Sequence, residues 1–357
     1  MVNGRAERNG DGPSGSGGEL LAVGDLRTWF DTPIGTVKAV NGVSLTLARG
    51  ETLGLVGESG SGKSVLSRSV SRLVPRTARH PTGSVVFDDI DLLASSPRQL
   101  RRFWGQDIAM VFQDPMTSLN PVVKIGRQIT ESLRRHLEMG KAAAQGKAVE
   151  LLHSVGIPEP EKRAQAYPHE LSGGMRQRVT IAIALACDPK LLIADEPTTA
   201  LDVTVQEQIL NLLQQQTEER TMAMILVSHD LGVMAGRTDR IAVMYAGRVV
   251  ELAPTRQLFA APRMPYTEAL LQSIPNIENP SHTRLRMIPG SPPNMLAPPK
   301  GCAFAARCAY VQDRCREETP PLQPAETEGH EFACFYPVGT SEGDAALARN
   351  LGTKETA

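Results

Sequence analysis

Residues 57–64 read Gly-Glu-Ser-Gly-Ser-Gly-Lys-Ser and fit the pattern G-x-x-x-x-G-K-[ST]. The apolar run Thr52–Val56 precedes the string, and Val65, Leu66 and Val70 follow it in a helical stretch. A strand, a glycine-rich loop and a helix in that order form a cradle for phosphate. The glycines let the backbone bend until its N–H groups face inward on an anion. The helix that follows adds the positive end of its dipole. Lys63 is expected to reach the β- and γ-phosphates of ATP, and Ser64 to hold Mg²⁺. The expected nucleotide contacts are therefore Gly57, Ser59, Gly60, Ser61, Gly62, Lys63, Ser64 and Val65.

Such a loop needs an α/β core around it. Further runs at 108–112, 191–194, 222–227 and 241–245 are about strand length, apolar throughout and bounded by Gly, Asp or Pro. Strands buried on both faces read this way, which predicts a parallel sheet flanked by helices. Between 21 and 47 the pattern changes: Val37, Val43, Leu45 and Leu47 alternate with polar residues, as in an antiparallel sheet with one wet face. Ile125, Ile129 and Leu133 keep a helical step, as do Val149, Leu152 and Val155, so residues 120–166 read as a helical insertion. Val205, Ile209, Leu212 and Leu213 mark another amphipathic helix.

The run at 191–194 ends in Asp195-Glu196. Carboxylates at the C-terminal end of a strand sit at the crevice where α/β sheets bind ligands. Asp195 is placed to hold Mg²⁺, directly or through water, and Glu196 to polarise an attacking water as general base. Two surface acids closing a strand would look the same in isolation; the phosphate loop decides between the readings.

Composition removes other classes. Against 39 Asp and Glu stand 38 Lys and Arg, a net charge of −1 that gives no electrostatic case for nucleic acid as the main ligand. No run approaches the ~18 consecutive apolar residues of a membrane span. The first 19 residues lack the apolar core of a signal peptide and read as a tail too polar to order itself, so the chain is expected in the cytosol. After Leu271, prolines at 275, 280, 289, 292, 293, 298 and 299 argue against regular helices, and 338–357 reads as a loose polar tail.

Between the phosphate loop and the acidic pair lies Leu171-Ser-Gly-Gly-Met-Arg-Gln-Arg178. In that position it resembles the signature of the nucleotide-binding subunits of ATP-binding-cassette (ABC) transporters. Gln113 in Val111-Phe-Gln-Asp-Pro115 resembles that family's Q-loop, Ala200-Leu-Asp202 its D-loop, and His229 in Val227-Ser-His-Asp230 its switch histidine. The resemblance implies an α/β P-loop NTPase cassette over 20–271: a RecA-like parallel sheet core, an antiparallel β subdomain and a helical subdomain at about 116–182. A Pro- and Cys-rich extension over 272–337 follows. It implies that Glu196, His229 and Lys63 are catalytic, that Gln113 joins Ser64 and Asp195 on Mg²⁺, and that Asp202 lines the nucleotide site. Ser172, Gly173 and Gly174 would face the γ-phosphate bound to a second cassette subunit, expected to be a different chain. The family stacks adenine on an aromatic residue of the N-terminal sheet; Phe30 is favoured over Trp29.

Longer strings narrow the resemblance. Residues 111–121, Pro265-Tyr-Thr-Glu-Ala-Leu-Leu271, Ile288-Pro-Gly-Ser-Pro-Pro-Asn294 and Gly301-Cys-Ala-Phe-x-x-Arg307-Cys308 resemble the dipeptide, oligopeptide and nickel importer subfamily. This implies ATP-driven peptide uptake, with nickel as the alternative cargo. Two transmembrane permease subunits and an extracytoplasmic peptide-binding protein would be the partners, and the cassette would sit peripherally on the cytoplasmic face of the membrane. A soluble cassette acting on ribosomes or DNA is the rival reading; the single cassette and the lack of a basic patch argue against it.

Four of the five cysteines, Cys302, Cys308, Cys315 and Cys334, cluster in the extension. They lack the closely spaced pair usual in zinc sites. Single cysteines in a Pro-rich segment suit a [4Fe–4S] cluster, which some members of the subfamily carry here. Zinc, or free or disulfide-forming thiols, are the alternatives. Arg307, Arg314 and Arg316 are expected to offset the charge of such a site. Cys187 reads as core packing.

Overall fold

The computed structural model describes residues 18–114, 118–199, 201–274 and 287–352. Alternation in the N-terminal region becomes two long antiparallel strands, β1 (Glu19–Thr32) and β2 (Gly35–Ala48), with Val23 opposite Leu45 and Leu26 opposite Val43. One face carries Leu21, Leu26, Val40 and Leu47 into the core, all fully buried. β5 (Ser84–Phe87) pairs with the other edge of β1, β6 (Ile90–Asp91) follows it, and β4 (Ala78–Arg79) pairs with the far end of β1.

The apolar runs form the second sheet. β3 (Thr52–Val56), β7 (Ile108–Val111), β8 (Leu191–Asp195), β9 (Ala223–Ser228) and β10 (Arg240–Tyr245) lie parallel in the order β10-β3-β9-β8-β7. Every residue of β3 and β8 is buried, as expected of strands covered on both faces. Register sets the function: Val56 is opposite Ser228, Val227 opposite Asp195, and Ala194 opposite Val111. The loops that leave β3, β9, β8 and β7 therefore emerge side by side on one edge.

The predicted insertion is helical. Helix Ile125–His136 buries Ile125, Ile129 and Leu133, and helix Lys141–Ser154 buries Ala144, Ala148, Leu151 and Leu152. Helix Gly173–Ala184 returns the chain to the core. Pro115 and Ala200, within the expected Q-loop and D-loop strings, lie outside the described residues, as do 1–17, 275–286 and 353–357.

The C-terminal region differs from expectation in two ways. β11 (Arg248–Pro254) pairs antiparallel with β10, and β13 (Glu331–Phe332) and β12 (Gln323–Pro324) continue from it, so the extension contributes the outermost strands of the core sheet. The expected loose tail is instead a helix, Ser341–Gly352, from residue 341 to 352. Its Ala345, Ala346 and Leu347 are good helix formers. Ala346 is fully buried, and Asn350 Nδ2 donates to the carbonyls of Ala309 and Val311 at 2.8 and 3.0 Å.

One carboxylate ties the extension to the sheet. Glu251 Oε1 lies 2.8 Å from His330 Nε2, with both side chains wholly buried. The same carboxylate accepts the backbone N–H groups of Arg263 at 2.6 Å and Met264 at 3.1 Å. Glu251→Ala would strand these buried donors together. Its expected cost is about 3 kcal/mol of stability, read as a lowered urea midpoint. An unchanged midpoint would contradict this account.

Candidate functional site

The phosphate loop leaves β3 and ends at Gly62, the residue that caps helix Lys63–Val70 with φ 102°. Gly57 and Gly62 are pressed against neighbouring backbone: an added Cβ would meet Met244 O at 2.2 Å and Ala39 O at 2.3 Å. Gly60, at φ +80°, faces open space instead. Lys63 is buried, and its Nζ donates to the carbonyls of Gly57 at 2.7 Å and Glu58 at 3.0 Å, bridging the loop. Burial pushes its pKa down, opposed by the charges of Glu196, Asp195 and Glu58.

Ser64 Oγ donates to Asp195 Oδ1 at 2.8 Å, joining the loop to the end of β8. Asp195 is fully buried, and burial pushes its carboxyl up, opposed by the Ser64 bond and by Arg68. Among the described residues its Oδ2 has no hydrogen-bond partner; Arg68 Nη2 stands 3.7 Å away, near enough for charge but too far for a bond. A buried, half-satisfied carboxylate beside a hydroxyl is a fitting pair of oxygen donors for a hard cation.

Glu196 turns the chain out of β8 in the left-handed region, at φ 48°. For a residue with a Cβ this conformation carries strain. It directs Oε2 to a meeting point: Gln113 Nε2 donates at 3.0 Å, Thr199 Oγ1 donates at 3.1 Å, and His229 Nδ1 lies 3.4 Å away. Gln113 comes from the loop after β7 and His229 from the loop after β9, so the parallel register gathers three residues separated in sequence by up to 116 positions (229 − 113).

The signature residues stand apart from this cluster. Ser172 caps helix Gly173–Ala184 through a 3.3 Å bond from Met175 N, and Ser172 and Gly173 are exposed. Asp202 caps the neighbouring helix Val203–Arg220 through a 2.9 Å bond from Val205 N. An added Cβ on Gly174 would strike Val205 at 2.8 Å, so the two helix starts pack closely. Among the described residues no hydrogen bond or ion pair links Ser172, Gly173 or Gly174 to residues 57–64. Phe30 pairs across the N-terminal sheet with Val37 and Ala78, while the Trp29 ring lies 5.1 Å from Lys38 Nζ.

Sequence reasoning missed three partners. Thr199 is one. Tyr266 is another: its hydroxyl accepts the Glu58 N–H at 2.8 Å. Arg307 is the third. It does not offset charge at the cysteines but grips Glu58 within the phosphate loop. An acid inside an anion-binding loop calls for a cation, and that was the available signal.

The cysteine expectation is overturned. Among the described residues no group of three or more His, Cys, Asp or Glu side chains is placed to hold a metal ion, which removes both the [4Fe–4S] cluster and zinc. The four thiols line a shared apolar space of about 10 Å³, room for about one water. All four are free. Burial pushes the thiols of Cys302, Cys308 and Cys334 up, so they pack as neutral apolar groups. Strand pairing with β11 and the aromatic cluster of Tyr245, Tyr266 and Phe304 order the segment in place of a metal. Arg314 stacks on Phe335 and pairs with Glu318. Cys187 is buried in the core, as expected.

Comparison with known proteins shows the family. A family model described as "ABC transporter" matches residues 40–199, and one described as "Oligopeptide/dipeptide transporter, C-terminal region" matches 250–315. The chain is 51% identical over 304 residues to the oligopeptide transport ATP-binding protein OppD of Bacillus subtilis (strain 168), covering 85% of each. It is 49% identical over 319 residues to OppD of Salmonella typhimurium (strain LT2), covering 89% of this chain and 94% of that one. Among solved structures, the dimeric ATP-binding cassette MJ0796 in a post-hydrolysis state bound to ADP and Pi superposes with a TM-score of 0.60 at 28% identity, covering 66% of this chain and 99% of that one.

Proposed function

The chain belongs to the family of ABC transporter ATP-binding subunits, and from that premise we propose that it hydrolyses ATP to drive peptide uptake. The convergence of Gln113, Glu196 and His229 beside Lys63, Ser64 and Asp195 carries this reading. The names of its relatives point to peptide as the cargo, and the likeness to them runs through the C-terminal extension.

Each residue has a task that the geometry supports. Lys63 and the loop N–H groups receive the β- and γ-phosphates. Ser64, Asp195 and Gln113 would hold Mg²⁺, which would supply charge neutralisation for the phosphates. Glu196 takes up the proton of the attacking water, and His229 holds that water and the γ-phosphate in line. The signature at Ser172, Gly173 and Gly174 presents a helix N-terminus outward, where it meets the nucleotide of a second cassette chain. Phe30 stacks the adenine, and Asp202 shapes the contact between cassettes through the helix it caps.

Among the described residues no helix is long and apolar enough to cross a membrane. We place the chain on the cytoplasmic face of the membrane, docked on two membrane-spanning subunits that a peptide-binding protein serves from outside. Expressed with its full transporter, the parent chain should support uptake of defined di- and oligopeptides. Lys63→Ala should abolish it, because the loop then loses its bridge and its cation. Peptide uptake that persists at parent rate in Lys63→Ala, or nickel uptake in place of peptide, would refute the assignment.

A further inference from the structure

Glu58 is an acid in the loop proposed to receive a triphosphate, and its carboxylate, N–H and carbonyl are each held. Arg307 Nη1 and Nη2 donate to its two carboxylate oxygens at 2.6 and 2.8 Å, a forked pair. The Glu58 N–H donates to Tyr266, and its carbonyl accepts from Lys63 Nζ at 3.0 Å and from Ser61 N at 3.2 Å. Arg307 itself is only 4% exposed. Its Nε donates to Pro289 O at 2.7 Å, Nη1 also donates to Tyr245 Oη at 3.1 Å, and its guanidinium lies 5.8 Å from the Phe304 ring. Nothing in this arrangement leaves the arginine free to move alone. From the same extension, Pro292, Pro293 and Met295 line a small cavity together with Ser59, Gly60 and Ser61.

We propose that Arg307 is a positioning residue through which the C-terminal extension sets the nucleotide affinity of the phosphate loop. It acts in two ways. The fork fixes Glu58, hence the carbonyl that Lys63 Nζ holds, hence the curvature of the loop. The cation also cancels a carboxylate that would otherwise repel the incoming phosphates in a partly desolvated site. A bidentate arginine does both, whereas a lysine supplies charge without the fork. The extension thereby becomes part of the nucleotide site without touching the nucleotide. This inference rests on the ATPase reading above.

The test is a titration of the purified full chain with a fluorescent ATP analogue, alongside its melting curve and, in the assembled transporter, KM for ATP against kcat. Arg307→Met should weaken nucleotide binding about 10-fold or more, and raise KM with little loss of kcat at saturating ATP. Adding Glu58→Gln to Arg307→Met should restore affinity to within about threefold of the parent, because the uncancelled charge is then gone. Arg307→Lys should fall between, about threefold weaker; it carries the test should Arg307→Met not fold, and parent-like binding by it would then overturn the proposal. Parent-like affinity in a folded Arg307→Met, or no recovery in the double variant, would show Arg307 to be an anchor for the extension only. A parent chain that binds no nucleotide would instead sink the ATPase reading.

Discussion

Glu196→Gln is expected to slow ATP turnover by about 100-fold or more while leaving ATP binding intact. The substitution is nearly isosteric, so it keeps an acceptor oxygen for Gln113 and Thr199 and leaves the strained turn at φ 48° in place. It removes only the basicity that takes the proton from water. Lys63, Ser64 and Asp195, which we propose receive the phosphates and the cation, are untouched. Binding without hydrolysis should then trap ATP, and the variant should remain associated with its partner cassette in ATP where the parent cycles. Phosphate release measures the first effect and retained radiolabelled ATP the second. Turnover within about threefold of the parent would remove Glu196 from the role of general base.

Much of the residue set around Glu196 is legible in the sequence. Buried parallel strands write themselves as unbroken apolar runs, and a residue just past such a run lies at the ligand edge. That reasoning placed Asp195 and Glu196 at the strand's end, and the resemblance to the ABC family added Gln113 and His229. It could not give the common meeting point at Glu196 Oε2, which depends on strand register across β7, β8 and β9. Two-residue strands such as β12 and β13 have no periodicity to read, so the docking of the extension was invisible. The cysteines misled for a related reason. Spacing along a chain says nothing of the volume between side chains, and here the four thiols enclose only about 10 Å³. Arg307 lies 249 residues from Glu58, a contact that no local pattern encodes.

Gly62→Ala is expected to lower nucleotide affinity by about 100-fold or more, through the backbone alone. At φ +102° an alanine carries a strain of about 1–2 kcal/mol before any contact is considered. Its Cβ would then stand 2.3 Å from Ala39 O, a backbone atom of β2 that cannot rotate away. Either the sheet or the loop must give. The sheet side is tied: Ala39 lies within the paired strand β2, and Asn41 N donates to Gly247 O at 2.8 Å. The loop therefore moves, and because Gly62 caps helix Lys63–Val70, the displacement carries Lys63 and Ser64 away from Asp195. Gly146→Ala supplies the control. Gly146 lies within helix Lys141–Ser154 with nothing near an added Cβ, so that variant should bind nucleotide like the parent and melt slightly higher. Parent-like affinity in Gly62→Ala would mean that the loop can bend without its glycine, and the phosphate cradle would have to be rebuilt on Gly57 and Gly60.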